Sequence, residues 1–242
     1  MLLKLENPKL FSEVVSIISE LVLEVRIRVN TSGITITAID PANVSMILFN
    51  LPSSSFTQFE VEQEEVLGVS LESLKAVLRR IKAGSVLTIT REENELKLLI
   101  IDKVRREFNL ALIEVESEEK PIPHLEFTSK IEMNSVDFSE AIEDAGVVAD
   151  SASFISAPDK FVIAAKGSLN SFRSEFTDEV NITAEEAKSK YSLEYLQKMI
   201  KGTKLSEKTI INFSNDYPLR LDFRTSLLSL SFILAPRVEN ED

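Results

Sequence analysis

Glu114-Val115-Glu116-Ser117-Glu118-Glu119-Lys120-Pro121-Ile122-Pro123-His124-Leu125-Glu126-Phe127 divides the chain into two halves that read alike. Its first part is a solvated acidic run and its second a proline-stiffened apolar one, the composition of a connector rather than of a helix interior. On its N-terminal side Phe11-Ser12-Glu13-Val14-Val15 opens an amphipathic run, and on its C-terminal side Phe138-Ser139-Glu140-Ala141-Ile142 opens another. Val69-Ser70-Leu71-Glu72-Ser73-Leu74-Lys75 is echoed in the same way by Tyr191-Ser192-Leu193-Glu194-Tyr195-Leu196-Gln197. β-rich sequence closes both halves, from Ser85 to Val115 and from Thr209 to Ala235. An order of helix, strands, helix, strands that occurs twice predicts an α+β chain of two repeated domains, residues 1–115 and 128–242, joined by a loop over 116–127. Each domain should pack two helices on antiparallel sheet.

Working outward through the first half, Asn7-Pro8 reads as an N-cap with proline in the first helical position. Leu10, Phe11, Val14, Ile17, Ile18 and Leu21 then keep the spacing of one buried stripe. Alternation replaces it at Val25, Ile27 and Val29, and again at Ile34 and Ile36, across the turn Asn30-Thr31-Ser32-Gly33. Val44 to Leu51 and Phe59 to Val69 read as further strands, and Ser70 as the cap of a second helix closed by Gly84. Three strands follow, at Val86–Thr90, Glu95–Ile101 and Arg105–Val115. In the second half the helices fall at Ser135–Asp150 and Ser192–Lys201, the latter closed by Gly202. The strands between them break at Pro158-Asp159 and Gly167-Ser168.

Composition narrows the chemistry. With 242 residues, 44% hydrophobic and 27% charged, the chain is globular and long enough for two cores. No apolar run reaches the roughly 18 residues of a membrane span, and a soluble, cytoplasmic protein is expected. The absence of cysteine excludes disulfides and thiolate chemistry, and a lone histidine, His124, leaves little for imidazole catalysis. There is no Gly-x-Ser-x-Gly elbow, no Gly-x-x-x-x-Gly-Lys loop and no Gly-x-Gly-x-x-Gly fingerprint. The carboxylate runs at Glu62–Glu65 and Glu116–Glu119 have the character of solvated loops, so a hydrolase built on carboxylates finds no paired site. The chain is therefore read as a non-enzyme with no cofactor and no metal.

Two features stand out against a net charge of −12. Lys75, Arg79 and Lys82 share an i, i+4, i+7 row on the predicted second helix, with Arg80 beside them. The repeat places Gln197, Lys201 and Lys204 at the matching positions, with Lys198 added. Lysines and arginines presented without aromatic or amide partners suit phosphates rather than base edges. The other feature is a set of apolar and proline residues, Ile122, Pro123 and Phe127 in the connector, Pro218-Leu219, and Ile233-Leu234-Ala235-Pro236. Such residues either finish strands or form a rigid lip for a peptide.

Ala38-Ile39-Asp40-Pro41-Ala42-Asn43-Val44-Ser45-Met46, Leu67-Gly68-Val69-Ser70-Leu71, Pro121-Ile122-Pro123, Pro218-Leu219 and Leu234-Ala235-Pro236-Arg237 occur in order along the full length. In these residues the chain resembles DNA sliding clamps of the proliferating cell nuclear antigen family, most of all the archaeal ones. The resemblance implies a ring of three subunits and six domains, helices lining the hole and sheets forming the outer wall. Duplex DNA would thread it without sequence-specific contact. A clamp loader would place the ring, and DNA polymerase, ligase and flap endonuclease would attach through short hydrophobic peptides. Lys75, Arg79, Arg80, Lys82, Lys198, Lys201 and Lys204 would then face DNA. Ile39, Val44, Met46, Ile122, Pro123, Phe127, Pro218, Ile233, Ala235 and Pro236 would line the peptide pocket. Subunits would join edge to edge through Phe108, Leu110 and Leu112 on one side and Phe172, Arg173 and Phe176 on the other. One departure from the family pattern is the third helix, with Glu140 and Glu143 where relatives carry basic side chains; it favours a ring of different paralogous subunits. The alternative function is a clamp-like scaffold in assembly or checkpoint signalling that is not itself loaded on DNA.

Overall fold

A computed structural model describes residues 1–116, 120–178 and 180–237; Ser117, Glu118 and Glu119 of the acidic connector lie outside the described residues. The chain forms two compact units. One comprises Met1–Pro41, Ile47–Lys120 and Thr225–Leu230; the other comprises Ala42–Met46, Pro121–Arg224 and the segment from Ser231. Each unit thus includes one short segment from the other half of the sequence.

The first unit runs β1 (Leu2–Leu5), α1 (Lys9–Ile18), β2 (Glu24–Asn30), β3 (Gly33–Ile39), β4 (Ser45–Pro52), β5 (Gln58–Glu60), β6 (Glu65–Ser70), α2 (Leu71–Leu78), β7 (Val86–Glu92), β8 (Glu95–Ile101) and β9 (Arg105–Ala111). The second repeats that order as β10 (Ser129–Asn134), α3 (Ser135–Val148), β11 (Ser151–Ala157), β12 (Lys160–Lys166), β13 (Ser171–Phe176), β14 (Asn181–Ala184), β15 (Ala187–Ser192), α4 (Leu193–Met199), β16 (Lys208–Phe213), β17 (Leu219–Arg224) and β18 (Ser229–Leu234). Sheet order repeats as well. The strands run β5-β1-β7-β8-β9 and β4-β3-β2-β6 in the first unit, then β14-β10-β16-β17-β18 and β13-β12-β11-β15 in the second. The matched segments keep their roles: Phe11 and Phe138 are both buried, and so are Leu71 and Leu193, each just inside a helix that follows a serine.

Alternation explains the strands. In β2 Val25, Ile27 and Val29 are buried and the residues between them half-buried, the period of one face on a core. The first core is mainly aliphatic, with Leu3, Phe11, Ile27, Leu67, Leu74 and Leu96 meeting at its centre. The second is aromatic. Phe154 sits edge-on to Phe138, Phe161, Tyr191 and Phe213, with ring centroids 5.3 to 6.2 Å apart, the arrangement that ring quadrupoles favour.

Several expected boundaries shift. Asn7 does not cap α1; Pro8 stands at the cap, and its carbonyl accepts from the Ser12 N–H at 3.0 Å. Helix α2 ends at Leu78, well before Gly84, because Ser85 takes the Lys82 N–H at 2.9 Å and Gly84 turns the chain at φ +77 into β7. Gly202 does not end α4 either. It is buried in a 3-10 turn over Ile200–Leu205, where an added Cβ would lie 2.6 Å from the Phe223 ring. The predicted strand at Phe59–Val69 is two strands, β5 and β6, and β9 stops at Ala111, short of Val115.

Candidate functional surfaces

The basic residues do not form the helical ridge that their spacing predicts. Lys75 alone lies within α2; Arg79 is its C-cap, and Arg80 and Lys82 fall on the turn beyond it. Lys75 is half-buried, its Nζ 2.8 Å from Ser19 Oγ and 3.6 Å from the Glu20 carboxylate, so its charge is spent inside the unit. Arg79, Arg80 and Lys82 are exposed. In the second unit Lys198 is on α4, 2.9 Å from Glu194 and over the Tyr195 ring at 5.3 Å, whereas Lys201 and Lys204 are exposed on the 3-10 turn. Among the described residues Arg79, Arg80 and Lys204 form no salt bridge. Neighbouring α3 is acidic, with Asp137, Glu140, Glu143 and Asp144 exposed alongside Val136 and Val147.

Most of the apolar set belongs to the second unit. The Ala235 N–H donates to the Val44 carbonyl at 2.8 Å, joining the segment before β4 to the one after β18. Phe127 meets Tyr217 edge to face, centroids 6.0 Å apart, directly beside Pro218. Met46 and Ile233 are 8% and 7% exposed, while Ile122 at 55% and Pro123 stand out from the connector. Pro236 is half-buried, and the next residue bonds back: the Arg237 N–H donates to the Lys190 carbonyl at 2.7 Å, and its guanidinium lies 2.9 Å from Asp150. That hydrogen bond holds the Asp150 carboxyl below its ordinary value, against the opposing effect of its partial desolvation. Ile39, half-buried at the end of β3, belongs to the first unit. Tyr217 was not anticipated; its only signal in sequence is its place before Pro218.

The third set lies on sheet edges. Among the described residues β9 pairs only with β8 and β13 only with β12, so each carries a row of backbone groups with no partner strand there. Phe108 and Leu110 are half-buried on β9, and Leu112 lies one residue past its end, its N–H on the Asn94 carbonyl at 2.8 Å. On β13 Phe176 stacks on Phe161 at 6.0 Å, Arg173 pairs with Glu175 at 2.9 Å, and Phe172 is half-buried. The turn before β9 is fixed by Asp102. Its carboxyl is held below the ordinary range by the Val104 N–H, and further by Arg106 and Ser85. The β6 edge is treated differently. Ile113 donates to the Gly68 carbonyl at 3.0 Å, and only glycine fits, since a Cβ there would run into the Ile113 carbonyl. The β15 edge is likewise covered, by Asn215, Asp216 and Arg237.

No helix among the described residues is long and apolar enough to cross a membrane. Residues 1–119 match the family model for the N-terminal domain of proliferating cell nuclear antigen, and residues 121–238 match that for its C-terminal domain. Curated relatives include the DNA polymerase sliding clamps of Thermococcus fumicolans, 35% identical, and Pyrococcus abyssi, 36% identical. Both alignments cover 97% of this chain and 97% of the relative. Among solved structures, the PCNA2-PCNA3 complex from Sulfolobus tokodaii matches with a TM-score of 0.90 at 27% identity, over 99% of this chain and 100% of that one. Proliferating Cellular Nuclear Antigen from Entamoeba histolytica matches with a TM-score of 0.93 at 20% identity over 98% of each chain, a likeness of fold.

Proposed function

The chain belongs to the proliferating cell nuclear antigen family, and from that premise we propose that it acts as a subunit of a ring that encircles duplex DNA and tethers replication enzymes to it. It is a DNA sliding clamp, a processivity factor whose task is to hold rather than to transform. The observation that carries the ring reading is a pair of long uncovered edges, one in each unit. β6 and β15 are covered by their own chain and the end strands β5 and β14 are only three and four residues long, whereas β9 and β13, of seven and six residues, are left open. Pairing β9 of one subunit with β13 of the next would continue around a closed circuit without leaving either of these edges bare. Arg79, Arg80, Lys82, Lys201 and Lys204 would supply weak contact to phosphate.

The segments at Val44, Phe127, Pro218 and Ala235 support the partner-peptide reading, since they put apolar groups and an unspent connector on one unit. Polymerase, ligase and flap endonuclease would attach there, and a clamp loader would open the ring. The test is loading onto nicked circular DNA by a clamp loader, followed by polymerase extension. Retention on the circle, release on linearisation and longer products are expected. Release at the same rate from circle and linear DNA would count against encirclement.

One observation favours a ring of mixed composition. The exposed Asp137, Glu140, Glu143 and Asp144 would repel phosphate wherever α3 met DNA, and a mixed ring presents that helix fewer times. Mass measurement of the assembly, alone and with paralogous subunits, decides it. A homotrimer that loads on DNA unaided by paralogues would remove this reading.

A further inference from the structure

The exposed face of the β10-β16-β17 sheet holds a cleft of about 250 Å³ that shares only Phe127 with the surfaces described above. Leu125 and Phe127 of the connector and Ile210 of β16 make its apolar part. Lys130, Arg220 and Arg224 make its charged part. Register explains why they converge. Lys130 pairs across with Asn212, and Asn212 with Arg220, so the lysine and the arginine bracket one row of three strands, about 10 Å apart. Arg224 is four residues further along β17 on the same face, about 13 Å from Arg220.

Between the two arginines lies Asp222, 2% exposed. Its carboxylate accepts from Arg220 Nε at 3.0 Å, Ser231 Oγ at 2.6 Å and Asn212 Nδ2 at 3.3 Å, and Arg224 stands 3.4 Å away. One buried carboxylate needs one cation to balance it. Here it organises two, and Lys130, exposed and without a salt bridge among the described residues, adds a third. Of the acids nearby in sequence, Glu132 is occupied by Lys208 at 3.3 Å, and Glu126, between Leu125 and Phe127, stands 3.4 Å from His124. The cleft therefore carries a positive surplus inside a chain of net charge −12. A guanidinium held through Nε keeps its outer N–H groups for another carboxylate.

We infer that this cleft takes the acidic segment that flanks a partner's hydrophobic docking peptide, with carboxylates on Lys130, Arg220 and Arg224 and aliphatic groups against Leu125 and Ile210. The occupant follows from charge and place. An extended peptide presents alternate side chains about 7 Å apart, so carboxylates four residues apart match the spacing of Arg220 and Arg224, with Lys130 two strands to the side. Leu125 and Phe127 tie the cleft to the connector, and the inference rests on the reading of that connector as a peptide-binding surface. A strand of nucleic acid would meet the same cations but would leave the apolar wall without use.

The test uses the intact assembly and two synthetic peptides that share a hydrophobic core of aliphatic and aromatic anchors. One carries Glu-Glu at each end and the other Gln-Gln. Fluorescence anisotropy should show the Glu peptide binding about tenfold more tightly at moderate salt, the difference shrinking as salt rises. Lys130→Gln with Arg224→Gln leaves Arg220 on Asp222 and should equalise the two peptides at the affinity of the Gln form. Lys130→Gln alone, which touches no buried group, should remove part of the preference. Equal binding of both peptides by the wild type would overturn the inference and leave the peptide pocket standing. So would a preference that survives both variants, or displacement of the Glu peptide by oligodeoxythymidylate at lower concentration than by itself. If neither peptide bound, the pocket reading would fall and this one with it.

Discussion

Tyr191 shows how one side chain ties a strand to the segment that shapes the proposed pocket. It is fully buried on β15, part of the aromatic cluster around Phe154, and its hydroxyl donates to the Tyr217 carbonyl at 2.7 Å. Burial pushes this hydroxyl well above the ordinary tyrosine range, the Ser189 hydrogen bond opposing that rise and Asp216 adding to it. A raised folded-state value means that the stability contributed by the neutral hydroxyl is complete below the unfolded value of about 10 and is lost as pH rises above it. Tyr191→Phe should cost about 1 kcal/mol at neutral pH, the net worth of a hydrogen bond whose acceptor is left behind. Chemical denaturation followed from pH 8 to 12 should show the wild type losing its advantage over the variant. A constant gap across that range would show that the hydroxyl does not titrate with unfolding. Gly68 makes the opposite kind of point, since it matters for what it lacks. Gly68→Ala would force Ile113 off the β6 edge, at a cost of about 1–3 kcal/mol as overpacking. Thermal unfolding measures it, and an unchanged midpoint would mean that the chain simply gives way there.

At the scale of elements, the open edges are the features with most consequence. On β13 Phe176 is already engaged with Phe161, but Phe172, opposite Ala165, has no ring partner among the described residues. Phe172→Asp should therefore leave the second core intact while placing a charge where a neighbouring strand would pack. Light scattering should show the assembly falling to single subunits, with unfolding of the isolated chain shifted by less than about 2 kcal/mol. Assembly of unchanged mass would move the interface elsewhere. The elements themselves were legible in sequence to the extent that their patterns were local. The strands at Val25–Val29, Val86–Thr90 and Glu95–Ile101 announced themselves by alternation, and both serine-led helices by matching motifs. β1 is four residues long, and apart from Ile182 and Tyr191 β14 and β15 are built from Asn, Thr, Ala, Lys and Ser; β1 acquires strand character by pairing with β5 and β7, β14 with β10 and β15 with β11. The overlong second helix arose because Arg79 to Ile81 continue a helical period that the turn at Gly84 and Ser85 interrupts. Of the apolar set, the connector residues, Pro218 and Ile233 to Pro236 stand out by composition, whereas Ile39, Val44 and Met46 join it only through the family resemblance, because Val44 and Ala235 meet through tertiary pairing that no spacing in the chain encodes.

On the scale of the whole molecule, the question is how an acidic protein keeps hold of a polyanion. With Lys75 committed to Glu20 and Lys198 to Glu194, the exposed Arg79, Arg80 and Lys204 carry most of the available positive charge of the basic set. Each phosphate neutralised contributes about 0.9 to the slope of log affinity against log salt. A ring that touches a few phosphates at a time should thus bind open duplex weakly and with a shallow slope, and Arg79→Ala with Arg80→Ala should lower that slope by at most about 2 per engaged subunit. Retention after loading has a different origin, because a closed ring cannot leave a circle whatever its contact energy. The double variant should therefore stay on nicked circular DNA as long as the wild type at about 150 mM salt while sliding off linear DNA sooner. Glu140→Lys with Glu143→Lys should act in the reverse sense, strengthening contact and slowing sliding without changing retention on the circle. If the arginine variant left circular DNA as fast as linear DNA, contact energy rather than topology would be holding the protein in place.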